Sequence, residues 1–280
     1  MVSIVLLSLF AAGGLFDYDT SKPLDIKVSS TETRNEIEVQ DITFANVAGG
    51  RTPAYLVFPQ QKTKRAAILF VHWYEPPNPT SNRTQFVDEA VELARAGVIS
   101  LIPATMWSEP KWFNQRNRRD DLHNSVLQVK ELRRALDVLL TQPGIDKDRV
   151  ALVGHDFGAM FGAVFANVDR RPNIYALQAG TGRFYHWYLY GPPMPEPERL
   201  VFIESLKAID PVEHIGKAGN VPILFQFATR DKHVPKERAE EFFSAAGAGK
   251  TLLWYEAGHG LDEKAKRDRI DWLKKVLRLK

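Results

Sequence analysis

Three ionisable side chains stand directly after short apolar runs, where buried strands would end. Asp156 lies in Gly154-His155-Asp156-Phe157-Gly158, between an apolar run at residues 149–153 and a helical pattern at 159–168. Asp231 lies in Thr229-Arg230-Asp231-Lys232-His233, just past a run at 222–228. His259 lies in Gly258-His259-Gly260, just past a run at 251–255. The first motif has the form of a strand-to-helix nucleophile elbow, with aspartate where serine usually stands. Its glycines have a steric task, because an elbow residue is strained and neighbouring side chains would strike the strand or helix beside it.

A carboxylate, with a reference pKa of about 3.9, is ionised at neutral pH and needs no base to become nucleophilic. Attack by Asp156 on a saturated carbon bearing a halide or an epoxide oxygen would leave an ester on Asp156. His259, oriented by Asp231, would then activate water to hydrolyse that ester while backbone N–H groups hold the oxyanion. One such N–H is expected from Phe157 and the other from His72-Trp73-Tyr74, after the run at 66–71. An ordinary ester suits a carboxylate less, since the tetrahedral intermediate expels carboxylate more readily than alkoxide. Ester or lactone hydrolysis would instead have His259 activate water directly, with Asp156 assisting.

The elements that must position these groups follow from the periodicity. Residues 36–47 and 54–58 read as strands around Gly49-Gly50, an antiparallel start to a sheet. Buried strands are expected at 66–71, 98–102, 149–153, 174–179, 222–228 and 251–255, and helices at 84–96, 120–140, 159–168, 236–246 and 262–279. Apolar strands alternating with amphipathic helices imply an α/β fold with a mostly parallel sheet covered on both faces. Reactive groups in such sheets gather at the carboxyl ends of strands, where all three candidates fall.

In chain order, nucleophile, acid and histidine follow the pattern of the α/β-hydrolase superfamily, which the chain resembles over residues 36–280. Its compact body is most similar to dienelactone hydrolase-like proteins, which carry Cys or Ser at the elbow. An Asp elbow followed by an aromatic residue is instead the pattern of haloalkane and haloacid dehalogenases and epoxide hydrolases. Those enzymes carry a helical cap, whereas about forty residues here separate Gly180 from Pro222. The resemblance therefore implies an α/β-hydrolase fold with at most a minimal lid, a short excursion at about 181–200. The leading expectation is a cofactor-free hydrolase with an Asp156, His259 and Asp231 triad. The alternatives are a dienelactone hydrolase-like esterase or lactonase, and a non-catalytic binding protein whose elbow has lost a serine.

Two aromatic clusters bear on the substrate. Trp73, Trp107 and Trp112 follow strands, and indole N–H groups suit a leaving halide. Residues 184–190 (Phe-Tyr-His-Trp-Tyr-Leu-Tyr) stand where a cap would be inserted. Trp187 is expected to line the pocket, and Tyr185, Tyr188 or Tyr190 could protonate an epoxide oxygen. Any one of these aromatics could equally be plain lining or cover for the sheet edge. His72 is read as a support beside the site or a structural residue, His155 as packing beside the elbow, and His233 as a turn residue.

Composition narrows the partners. A formal net charge of only +3, with acids interspersed among bases, argues against nucleic-acid binding. Cysteine is absent, which removes disulfides and thiolate metal sites, and no His, Asp or Glu spacing suggests a zinc site. No glycine-rich loop suggests a nucleotide, so no cofactor is expected, and the expected partner is a small, largely apolar substrate. Residues 2–16 are nearly all apolar and too short to span a bilayer comfortably. They resemble the apolar part of a secretory signal but lack preceding basic residues. Residues 1–35 are read as a lead-in, either signal remnant or packed arm, leaving open a cytoplasmic, secreted or periplasmic location and a homo-oligomer.

Overall fold

The computed structural model describes residues 14–59 and 65–279. The expected strand around residue 36 and its partner form β2 (Ile37–Ala45) and β3 (Arg51–Pro59), antiparallel, with Ala45 opposite Arg51 across the turn. β4 (Arg65–Val71) leads through α1 (Val87–Arg95) to β5 (Val98–Pro103). A one-turn helix α2 (Trp112–Gln115) and the long α3 (Asp121–Leu140) precede β6 (Ile145–His155), α4 (Phe157–Val168) and β7 (Ile174–Gln178). Between β7 and the next strand lie α5 (Tyr185–Tyr188), α6 (Glu196–Leu206) and α7 (Pro211–His214). β8 (Ile223–Ala228), α8 (Lys236–Ala245), β9 (Lys250–Tyr255) and α9 (Glu263–Val276) close the chain.

With β1 (Lys27–Arg34) at one edge, the sheet runs β1-β2-β3-β5-β4-β6-β7-β8-β9 among the described residues, antiparallel as far as β5 and parallel from there to β9. β4 shows why both faces are covered. Ala67, Leu69 and Val71 pack into the core under α3 and α4, while Ala66, Ile68 and Phe70 pack under α1 and α9. All seven residues of β4 are buried, so it reads as a continuous apolar run rather than an alternation. A buried polar cluster pins α9 to this second face. The Arg269 guanidinium meets Glu89 of α1 with two contacts of 2.9 and 2.5 Å, and reaches Oε1 of Gln178 at 2.6 Å and of Gln226 at 2.9 Å.

Three elements depart from the sequence expectation. β1 (Lys27–Arg34) pairs with β2 although no strand was expected before residue 36; it is almost wholly exposed and has no apolar alternation. β6 starts at Ile145, four residues early, because its first half is charged and lies outside the core. The helix expected from residue 84 begins at Val87, after a run of turns. The apolar segment at residues 2–16 falls almost entirely outside the described residues. No described helix is long and apolar enough to cross a membrane.

Candidate active site

Asp156 occupies the junction of β6 and α4 with φ 56° and ψ −117°, a left-handed conformation for a non-glycine residue. The geometry is enforced from both sides. A Cβ on Gly154 would come within 2.2 Å of the Gly158 carbonyl oxygen, and one on Gly158 within 2.0 Å of the Val71 carbonyl oxygen. The Asp156 N–H donates to the Gln178 carbonyl at 2.8 Å, which ties the elbow to β7. Strand, turn and helix can thus meet only if the carboxylate is raised above the carboxyl edge of the sheet.

The two Asp156 oxygens have different surroundings. Oδ2 accepts the Tyr74 N–H at 2.9 Å, while Oδ1 is buried without a hydrogen-bond partner. Oδ1 lies 3.7 Å from Nε2 of His259, an ion-pair distance beyond hydrogen-bond reach. Nδ1 of His259 is hydrogen-bonded to Oδ2 of Asp231 at 2.8 Å. Oδ1 of Asp231 accepts the N–H groups of His233 at 2.8 Å and Val234 at 3.0 Å. The three residues picked from the motifs are therefore brought together in one chain of contacts.

Charge follows from this arrangement. Burial disfavours a charged His259, but the flanking carboxylates of Asp156 and Asp231 outweigh it and push the imidazole up to about 10. Burial alone would raise Asp231, yet His259 and the two backbone donors hold it below the ordinary aspartate value. The imidazole, set between the side chains of Asp156 and Asp231, is thus favoured in its protonated form.

A cavity of about 280 Å³ opens at Asp156, lined also by Phe157, Tyr74, Trp187, Tyr190 and His233 among others. Phe157 is buried at the start of α4, where its N–H has no acceptor within the helix. Of the loop expected to supply the other oxyanion donor, the Tyr74 N–H is aimed at Asp156 Oδ2, while the Trp73 N–H is taken by Oε1 of Gln85 at 2.8 Å. Trp187 lines the cavity as expected, and its indole Nε1 is buried without a partner.

Other expected site residues serve elsewhere. The Trp107 indole donates to the His72 carbonyl at 3.1 Å and that of Trp73 to the Thr80 carbonyl at 3.0 Å, so neither N–H is free for a leaving group. Trp73 instead stacks beneath His155 and His259, with centroids 4.8 and 6.2 Å apart. Trp112 packs edge-on to Tyr74 and Phe157 outside the cavity lining. The Tyr188 hydroxyl is spent on Ser125 at 2.8 Å within the core, and Tyr185 borders a separate surface hollow. Neither tyrosine reaches the nucleophile; both sit on α5, whose single turn aims Trp187 inward instead.

His72 is wholly buried, with its ring on the Trp73 carbonyl, Ser108 and Thr105, and burial pushes it down to about 4. It braces the donor loop as a neutral ring. His155 holds the His259 backbone carbonyl at 3.0 Å, and burial, aided by the nearby His259 charge, pushes it well below the ordinary value. His233 is more than a turn residue, since it lines the cavity 5.1 Å from the His259 ring, facing Glu75. Sequence reasoning passed over Glu75 altogether. Its only signal was a place next to Tyr74 in the donor loop. Among the described residues no group of His, Asp and Glu could hold a metal ion.

Residues 52–275 match the Dienelactone hydrolase family. Among solved structures, acetyl xylan esterase 1 from Thermoanaerobacterium sp. superposes with a TM-score of 0.74 at 17% identity, covering 94% of this chain and 90% of that one. An acetyl xylan esterase from Paenibacillus sp. R4 gives 0.71 at 14% identity, covering 91% and 90%. The esterase domain of a Rhodothermus marinus protein gives 0.62 at 18% identity, covering 86% and 98%. At such identities the structural likeness speaks for the fold alone. No curated protein matches the chain.

Proposed function

The chain belongs to the dienelactone hydrolase family and is a hydrolase, and we propose that it works through a covalent ester on Asp156, formed by attack on a saturated carbon. The observation that carries this reading is the unequal environment of the Asp156 oxygens. Oδ2 already fills the Tyr74 N–H where a substrate carbonyl would otherwise develop its charge, so an attacked ester finds that donor occupied. Oδ1 has no hydrogen-bond donor to satisfy it, and Asp156 lines the cavity, so this oxygen keeps its lone pairs for attack. Once alkylated through Oδ1, Asp156 keeps Oδ2 as the ester carbonyl oxygen, in place to be stabilised when water adds.

The same step arms the base. His259 is held protonated by two carboxylates, and esterification of Asp156 removes one of those charges. The imidazole then gives up its proton more readily and can take one from water, with Asp231 still fixing its orientation. Trp187 Nε1 is the donor best placed to meet the leaving atom. The substrate class is a small, largely apolar molecule carrying an epoxide or halide.

Ester or lactone hydrolysis is the second reading, and family membership by itself favours it over carbon–halogen or epoxide chemistry. In that case His259 activates water directly while Asp156 withdraws from the Tyr74 N–H. The two readings part in the His259→Ala variant, incubated with pooled haloalkanes, epoxides, lactones and simple esters and read by intact mass and peptide mapping. The covalent reading expects turnover to fall by about 10³-fold and an adduct to accumulate on the Asp156 peptide. Ester or lactone turnover by wild type, with no adduct in the variant, would replace it with the second.

A further inference from the structure

Two titratable side chains line the cavity and have no part in the steps above. The His233 ring is 5.1 Å from His259, 5.9 Å from Trp187 and 6.1 Å from Tyr190, centroid to centroid. Its Nε2 lies 4.0 Å from Oε2 of Glu75. Both side chains are half-exposed, so they reach solvent as well as the cavity. Their backbones are fixed, since the His233 N–H donates to Asp231 at 2.8 Å and the Glu75 N–H donates to Ser81 at 2.8 Å.

A halide leaves as a stable anion, whereas an oxygen leaving group needs a proton as its bond to carbon breaks. The other candidates for that proton are less suited. Tyr188 is tied to Ser125, and the His259 proton is held by the flanking Asp156 and Asp231 until the first of them is esterified. An indole N–H can hydrogen-bond but not acidify, and Tyr190, which also lines the cavity, offers a phenol, a weaker acid than an imidazolium. An imidazolium can pass its proton to an oxygen that gains charge as its bond breaks, and a carboxylate beside it can hold the ring in place. The titratable groups facing His233 are Glu75, Tyr190 and His259, and of these Glu75 is the carboxylate.

Building on the covalent reading, we propose that His233, steadied by Glu75, protonates the oxygen displaced by Asp156, which makes an epoxide the substrate class. Oδ1 of Asp156 forms the new carbon–oxygen bond, the ring carbon–oxygen bond breaks, and its electron pair takes a proton from the His233 imidazolium. His259, relieved of one carboxylate partner by the esterification, gives its resting proton to solvent. Water then adds to the ester carbonyl and gives a proton to the neutral His259. Collapse releases the second alcohol oxygen, which takes that proton. Asp156, left as the acid, ionises; its proton and the one His259 gave to solvent balance the two that His233 and His259 regain. The sum is epoxide plus water to a vicinal diol.

The test compares 1,2-epoxyhexane with 1-bromohexane, measuring the rate of adduct formation on Asp156 by mass in His259→Ala and in His259→Ala/His233→Gln. Near-UV circular dichroism confirms that both variants are folded. The epoxide adduct is expected to form about 100-fold more slowly in the double variant, while the bromide adduct changes by less than about twofold. Equal slowing with both probes would make His233 structural and overturn the proposal, as would no slowing with either. A bromide adduct without an epoxide adduct in His259→Ala overturns the proposal and leaves the covalent reading standing. No adduct with either probe overturns the covalent reading and this proposal with it.

Discussion

Trp107 and Trp187 both pack against Phe157, at centroid distances of 5.5 and 6.1 Å, and both are buried. On the wall formed by the loops after β4 and β5, indoles act as fasteners: Trp107 holds the His72 carbonyl and Trp73 holds that of Thr80. On the α5 wall, Trp187 keeps its N–H unpaired in the cavity it shares with Asp156. Leaving a buried donor unsatisfied costs about 1–3 kcal/mol, a cost that a bound ligand atom would repay. The same residue type therefore has its polar edge taken on one wall and unpaired on the other.

Single substitutions should split the two walls. Trp107→Phe loses a buried hydrogen bond and leaves a void, so it should destabilise the protein by about 2–3 kcal/mol in denaturant unfolding. Its kcat should stay close to wild type. Trp187→Phe should do the reverse, lowering kcat/KM by about tenfold while shifting stability by less than about 1 kcal/mol. An unaltered kcat/KM in Trp187→Phe would return that wall to plain lining.

His259 lies between the walls, against Trp73 on one side and Trp187 on the other. Its proton affinity is raised from an ordinary 6.5 to about 10, so its charge stabilises the fold fully below about pH 6.5, and this is lost as pH rises through about 10. Asp156→Asn removes one of the two carboxylates and should move the His259 imidazole midpoint, followed by NMR, to lower pH. An unmoved midpoint would mean that Asp231 alone holds the charge. The smallest effect is expected from Tyr188→Phe, which gives up only the Ser125 hydrogen bond, about 1 kcal/mol of stability, with turnover unchanged. A large loss of turnover there would bring Tyr188 back as a proton donor.

The meeting of Asp156, Asp231 and His259 was legible because each sits in a short motif at a strand end, where local sequence and topology agree. β4 and β7 were legible because all their residues are buried and, apart from Arg65 and Gln178 at their ends, apolar. β1 was not, since a strand exposed along nearly its whole length leaves no alternation to read. Nor could the run at 184–190 say which aromatic faces the nucleophile, because that depends on how one turn of helix docks. Tyr188 turned to the core and Trp187 to the cavity through contacts with Ser125 and Phe157, far off in the chain. Glu75 and His233 escaped for the same reason: each is unremarkable locally, and only folding sets them face to face.

The polar cluster under α9 bears on how the chain is made. Glu89 leaves the ribosome 180 residues ahead of Arg269, the partner that neutralises it in the finished protein. Until then, closing α1 onto the sheet would bury a carboxylate with no countercharge, at a cost of several kcal/mol. The nascent sheet must therefore keep that face wet until nearly the whole chain has been synthesised. Release of a shortened chain that ends before α9 would expose an apolar surface to quality control.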